Sequence, residues 1–210
     1  MDRLGIEDWL KTYNIENYTI NEDMSVDVNG NVALSYNELK ELPIRFGNVS
    51  GNFECYNNKL TTLVGCPETV GGDFICLGNN LSSLEGCPIK IGGSFSCSSN
   101  RLVNLEFCPV EIGGDCYCDV NKLTSLFGVP ININKNFACS NNALSSLEFC
   151  PNIGGDFYCS DNEISELESF LYDYSPEQIR RYYANKNLSE KLIIGLSEEG
   201  VVGIKNKQKL

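Results

Sequence analysis

Eleven of the 210 residues are cysteine and none is histidine. Thiolates bind soft metals, exchange disulfides and attack electrophiles, so these are the first residues whose chemistry needs an account. Ten of them fall in two columns. Cys55, Cys76, Cys97, Cys118, Cys139 and Cys159 form one; Cys66, Cys87, Cys108 and Cys150, each followed by proline, form the other. Cys116 takes a place that phenylalanine holds elsewhere. Metal sites want close ligand pairs with histidine in support, and this spacing offers neither. Thiols stacked one strand apart come near disulfide distance, but their side chains run parallel rather than converging, and the total is odd. A Ser-His or Cys-His nucleophile is impossible without histidine. The expected role is that of a small buried hydrophobe, with no metal, no cofactor and no catalytic residue.

A second set joins aromatic rings to carboxylates: Asp115, Tyr117, Asp119, Asp156 and Tyr158. Rings give rigid contact area and acids select charge, so this set suits a protein partner with a basic surface patch. Tyr56, Ile75 and Leu77 make a smaller apolar set. Asp115 and Asp119 are also an acid pair, but a shallow open surface gives little desolvation with which to tune one for acid–base work. The plain alternative for all eight residues is an ordinary solvated sheet face.

The elements that position these residues recur at a fixed step. Asparagines stand at Asn37, Asn58, Asn79, Asn100, Asn121, Asn142 and Asn162, 21 residues apart five times and 20 once. Two residues beyond each is Leu39, Leu60, Leu81, Leu102, Leu123, Leu144 or Ile164, and three further on is another leucine. Five residues before each is Val32, Phe53, Phe74, Phe95, Cys116, Phe137 or Phe157. Phe74 and Cys76 alternate with Ile75 and Leu77, the signature of a short strand with Phe and Cys facing inward. The Asn amide then turns the chain by donating to and accepting from backbone groups left without strand partners. One such turn cannot bury its own apolar face, so the turns stack, pair their strands in parallel, and need capped ends.

The pattern Φ-x-Φ-x-x-N-x-L-x-x-L resembles the leucine-rich repeat, over about residues 26–167. The fuller spelling LxSLxGCPxxVGGxFxCxxNxL, behind VDVNGNVxLS, is similar to leucine-rich repeat proteins encoded by large tailed bacteriophages. The resemblance implies a right-handed solenoid with its parallel sheet on the concave side and a mostly irregular convex side. It also implies a non-catalytic protein-interaction module that binds on the concave sheet. Two roles follow: a phage-encoded inhibitor of a host or defence protein, or a structural or assembly subunit of a phage particle. Bacterial effector ubiquitin ligases share short repeats but add a large catalytic domain with a nucleophilic cysteine. No cysteine follows Cys159 here.

Three segments are expected: a cap over 1–31, seven repeats over 32–167, and a helical cap with a basic tail over 168–210. In the first, Leu4, Trp9, Leu10 and Tyr13 suggest a short helix, and the stretch around Val26, Val28 and Asn29-Gly30 a β-hairpin. The first repeat departs from the rest, with Leu42-Pro43 after its last leucine and Phe46 and Val49 inward. In the later return arms, Val70, Ile91, Ile112, Ile133 and Ile153 plug the core. Their paired glycines suit close backbone approach; they are not a phosphate loop, since no Lys-Ser/Thr follows and no helix opens there. Phe107 and Phe149 replace Gly65 and Gly86, either as exposed groups or as wedges. Ser175-Pro176-Glu177-Gln178 is a helix start, with a helix to about residue 183 and a second over 189–196. Tyr172, Tyr174, Tyr182 and Tyr183 are read as packing residues.

Net charge is −12, with −5 on residues 1–31, −9 on 32–170 and +2 on 171–210. An acidic array repels nucleic-acid phosphates and anionic lipids, so neither is an expected partner. No run approaches the roughly 18 apolar residues of a membrane span. The segment MDRLGIEDWLKTYN carries acids and lacks the apolar core of a secretion signal. A cytoplasmic location is expected.

Overall fold

The computed structural model describes residues 1–165, 171 and 173–187. The expected repeat solenoid is borne out as a stack of coils with parallel sheets on two sides. Helix α1 (Arg3–Thr12) leads into strands β1 (Tyr18–Ile20) and β2 (Ser25–Val28). One side of the stack holds β3 (Val32–Ala33), β5 (Phe53–Glu54), β7 (Phe74–Ile75), β9 (Phe95–Ser96), β11 (Cys116–Tyr117), β13 (Phe137–Ala138) and β15 (Phe157–Tyr158), all parallel. The return arms hold β4 (Arg45–Val49), β6 (Thr69–Val70), β8 (Lys90–Ile91), β10 (Glu111–Ile112), β12 (Asn132–Ile133) and β14 (Asn152–Ile153). The arms are extended rather than helical, as expected, and these short strands tie them into parallel ladders of their own.

The core lies between the two sides. Phe53, Phe74, Phe95 and Phe137 and the thiols of the strand column are almost wholly buried, as are both leucines of each inner coil. The rings stack at centroid distances of 5.7 Å (Phe53–Phe74), 6.0 Å (Phe74–Phe95) and 5.7 Å (Phe137–Phe157). Phe46 and Val49 are buried in the first coil. Of the arm residues expected inward, Val70, Ile91, Ile112 and Ile133 are buried and Ile153, in the last arm, is only partly so.

The asparagines join coil to coil. Asn100 Nδ2 donates to Cys97 O of its own coil at 3.0 Å and to Cys76 O of the preceding coil at 3.1 Å, while its Oδ1 accepts Leu81 N–H at 3.0 Å. Asn58, Asn79, Asn121, Asn142 and Asn162 repeat this arrangement. Asn37 has no preceding repeat beneath it; it is exposed, its Nδ2 donates to Ser35 O at 3.0 Å and its backbone N–H donates to Asn58 Oδ1 at 2.9 Å. The residue before each asparagine has positive φ in all seven coils: Tyr36, Asn57, Gly78, Ser99, Val120, Asn141 and Asp161. That left-handed step is what swings the amide inward. It suits Gly and Asn and strains a β-branched residue such as Val120.

The paired glycines do mark close approach. A Cβ at Gly71, Gly92, Gly113 or Gly154 would stand 2.2, 2.2, 2.1 or 2.2 Å from a carbonyl oxygen of the preceding arm. Asn134 and Lys135 occupy these positions in one arm, so the backbones cannot close there. The arm ladder breaks at this point: β10 and β12 do not pair. Elsewhere Gly113 N–H donates to Ile91 O at 3.0 Å and Gly154 N–H to Ile133 O at 2.9 Å. Across the break, Asn134 Nδ2 reaches Ile112 O at 3.2 Å in place of the missing backbone bond. On the opposite side, β11 and β13 pair without interruption.

The N-terminal segment differs in detail from its expectation. In α1, Ile6 and Leu10 are buried and Leu4 is exposed; Trp9 packs edge-on to Phe46 with centroids 6.2 Å apart. The hairpin is β1–β2, closed at residues 21–24, where Asn21 N–H donates to Ser25 O. Asn29-Gly30 instead turns the corner from the arm sheet to the first strand of the other sheet. At the C-terminal end, α2 (176–187) begins with the expected capping box: Gln178 Oε1 accepts Ser175 N–H at 2.8 Å and Ser175 Oγ accepts Gln178 N–H at 3.3 Å. Tyr183 is buried and its hydroxyl accepts Leu147 N–H at 3.1 Å, Tyr182 is partly buried, and Tyr174 is exposed. Tyr172 and the helix expected over 189–196 lie outside the described residues.

Two stability outcomes follow. Asn100→Ala strands buried partners in two coils and lowers unfolding free energy by about 2–4 kcal/mol, whereas Asn37→Ala costs well under about 1 kcal/mol. Val120→Asn puts a residue suited to positive φ at an exposed position and raises stability by about 1 kcal/mol. Urea unfolding of the three variants against the parent measures each.

Candidate partner-binding face

The outward side of the seven-stranded sheet carries the residues singled out from sequence, in two groups. Tyr117 on β11 and Tyr158 on β15 flank Ala138 on β13 in direct register. The two tyrosines therefore stand about 10 Å apart at roughly 4.8 Å per strand. Ala138 faces outward between them yet is buried. The second group, Tyr56, Ile75 and Leu77, lies toward the N-terminal end and is partly buried. Tyr36 joins it, meeting Tyr56 edge-on with centroids 5.3 Å apart. A rung of small hydroxyls, Ser94, Ser96 and Ser98, separates the groups.

The aspartates are tied into the stack. Asp115 Oδ1 accepts Asn136 N–H at 2.9 Å, one link in a column where Asn31, Asn52, Asp73, Ser94, Asp115 and Asn136 each accept the backbone N–H of the next coil. Asp119 Oδ1 accepts Ser140 N–H at 2.9 Å, and burial pushes its carboxyl above the usual range. Asp156 Oδ2 accepts the Tyr158 hydroxyl at 3.2 Å, and this bond and the Asp156 charge push the Tyr158 phenol upward. Partial burial, then the nearby Asp115 charge, raises Tyr117. Asp119 Oδ2 also accepts the Ser98 hydroxyl at 3.5 Å, so the face presents phenols over carboxylates that are held by internal bonds and keep acceptor capacity to spare.

The inter-coil role of Asp115 and Asp119 was not read from the sequence. A signal was there: every residue in the column from Asn31 to Asn136 carries a side-chain acceptor. Tyr36 was also missed, because its coil lacks the strand cysteine that flags the others.

All eleven cysteines are free; nine are buried, and Cys87 and Cys108 are partly so. Burial pushes Cys150 up to about 12 and Cys159 up to about 11. It also raises Cys66, Cys76, Cys87, Cys97, Cys118 and Cys139, while Cys108 is raised first by its bond with Cys116. Among the described residues no three histidine, cysteine or acidic side chains are grouped to hold a metal ion, and no helix is long and apolar enough to cross a membrane.

Comparison with protein-family models, with curated proteins and with solved structures returns no match.

The thiols set a pH dependence. For Cys66, Cys76, Cys87, Cys97, Cys108, Cys118, Cys139, Cys150 and Cys159 the folded-state pKa lies above the ordinary value of 9.0, so the folded chain holds protons that the unfolded chain releases. The stability they contribute is whole below about pH 8.5 and falls as pH rises toward the folded values, by up to about 1.4 kcal/mol per pH unit for each thiol. Urea midpoints are expected to hold from pH 7 to 8 and drop steeply by pH 10, and thiol reagents to label the nine buried cysteines only at the rate of unfolding.

Proposed function

We propose that this chain is a non-catalytic binding module that takes a protein partner on the outer face of its seven-stranded sheet. The observation that carries the reading is the pair Tyr117 and Tyr158 over Ala138, bordered by Asp115, Asp119 and Asp156. Amphipathic rings on a fixed ladder lose little conformational entropy on contact, which suits them as anchors. The carboxylates beside them favour a partner with a basic patch and quicken its approach. Tyr56, Ile75, Leu77 and Tyr36 form a second, more apolar contact on the same face. An acidic array disfavours nucleic acid and anionic membrane as the occupant.

The likeness of the repeat spelling to phage leucine-rich repeat proteins extends the proposal. On that ground alone, the partner is a host or defence protein that the chain inhibits, and the site of action is the host cytoplasm. A role as a particle subunit has no separate observation in its favour.

The test is affinity capture from bacterial lysate followed by mass spectrometry, with Tyr117→Ala and Asp119→Lys as paired controls. A partner retained by the parent chain and lost from both variants supports the reading. A partner set unchanged by either variant contradicts it.

A further inference from the structure

The arm side carries exposed apolar groups that packing does not call for. Ile89, Val110 and Ile131 share one column and are 56, 72 and 78% exposed; Phe107, Phe127 and Phe149 beside them are 61, 49 and 52% exposed. The open question of Phe107 and Phe149 is thus answered: they are surface groups. Both have φ +66, where Gly65, Gly86 and Gly128 have φ +96, +87 and +94. A bulky side chain is strained in that region, and here the strain is not repaid by burial. Strain held without structural return is a mark of a functional surface.

The break in the arm ladder opens within this ridge. A cleft of about 570 Å³ lies over it, lined among others by Pro109, Val110, Glu111, Pro130, Ile131 and Asn134; Glu111 is paired with Lys90. In the unbroken part of the ladder, Ile89 N–H donates to Glu68 O and Val110 N–H to Ile89 O, both at 2.9 Å. At the break no hydrogen bond within the described chain joins Ile131 N–H to Val110 O, or Lys135 N–H to Gly114 O. A strand edge with unpaired groups and an apolar side-chain slot is how β-type peptide recognition works. Near the ridge in sequence, Glu85, Glu106 and Glu148 make no ion pair among the described residues, although Glu148 Oε1 accepts Asn187 Nδ2 at 3.1 Å.

We propose that this cleft is a second docking site, distinct from the tyrosine face, whose occupant is an extended segment of a partner protein carrying an aliphatic side chain flanked by lysine or arginine. The main chain of the segment bonds the free Val110 and Ile131 groups. Its aliphatic side chain enters between Pro109 and Pro130, and its cationic flanks meet Glu106 and Glu148. The aromatic ridge covers the segment from the side.

The test pans a displayed library of random peptides on the immobilised full-length chain. Recovered peptides are measured against three variants. Phe107→Gly with Phe149→Gly restores the residue that other coils hold there and so keeps the fold; Glu106→Lys reverses the charge; Tyr117→Ala leaves the cleft intact. The proposal expects recovered peptides rich in Leu, Ile, Lys and Arg, weakened about tenfold or more by the first two variants and unchanged by the third. It is overturned if no peptide is enriched, if those recovered are acidic, or if the ridge variants bind as well as the parent. It is also overturned if sedimentation shows a dimer that Phe107→Gly with Phe149→Gly dissolves, or if a synthetic peptide of residues 188–210 displaces those recovered. The occupant is then a second copy or the chain's own terminus.

Discussion

The structure depends on one side-chain amide used six times. Each asparagine from Asn58 onward satisfies a carbonyl of its own coil, a carbonyl of the preceding coil and an N–H of the preceding coil. A buried amide with unmet partners is costly, and so are the backbone groups it serves. No coil can therefore leave its neighbour without exposing three or more polar groups to an apolar interior. Phenylalanine and cysteine supply the burial, but that force has no direction. The amide fixes the register. It also goes with the left-handed residue before it, a conformation that even Val120 accepts.

The same demand to link coil to coil explains the two surfaces. On the strand side, Asp115 and Asp119 serve first as acceptors for the next coil, and their position beside the tyrosines follows from that duty. On the arm side, a Cβ at Gly71, Gly92, Gly113 or Gly154 would meet a carbonyl of the preceding arm, and the ladder parts where Asn134-Lys135 replaces the paired glycines. One side is thus a continuous rigid sheet and the other a ladder with one open rung. A repeat protein is quasi-one-dimensional, so a local change in one coil leaves distant coils unaltered. That structural independence leaves room on one scaffold for the two contact regions proposed.

Much of this was legible in the residues. The Phe, Cys, Asn and Leu columns were readable because each is nearly uniform in chemistry and each serves one inward task. The inter-coil acceptor column was not read, because Asn, Asp and Ser there look like solvated sheet residues until the next coil's N–H is placed beside them. The left-handed column mixes Tyr, Asn, Gly, Ser, Val and Asp, and so carries no single signature. The replacement of Gly-Gly by Asn134-Lys135 was visible, but its effect depends on a Cβ-to-oxygen distance that spacing alone does not give. The Asn29-Gly30 turn signal does mark a bend, but such a signal does not fix which sheet receives the next strand, and here it joins the two sheets.

The central claim is that the asparagine amides lock the coils into one cooperative unit. Native-state hydrogen exchange of the backbone N–H groups of Leu60, Leu81, Leu102 and Leu123, each donating to the asparagine of the next coil, tests it most directly. The account predicts that all four exchange only through large-scale unfolding, with protection that falls together as urea is added. Rapid exchange of these amides in the absence of denaturant, or protection that varies independently from coil to coil, would contradict it.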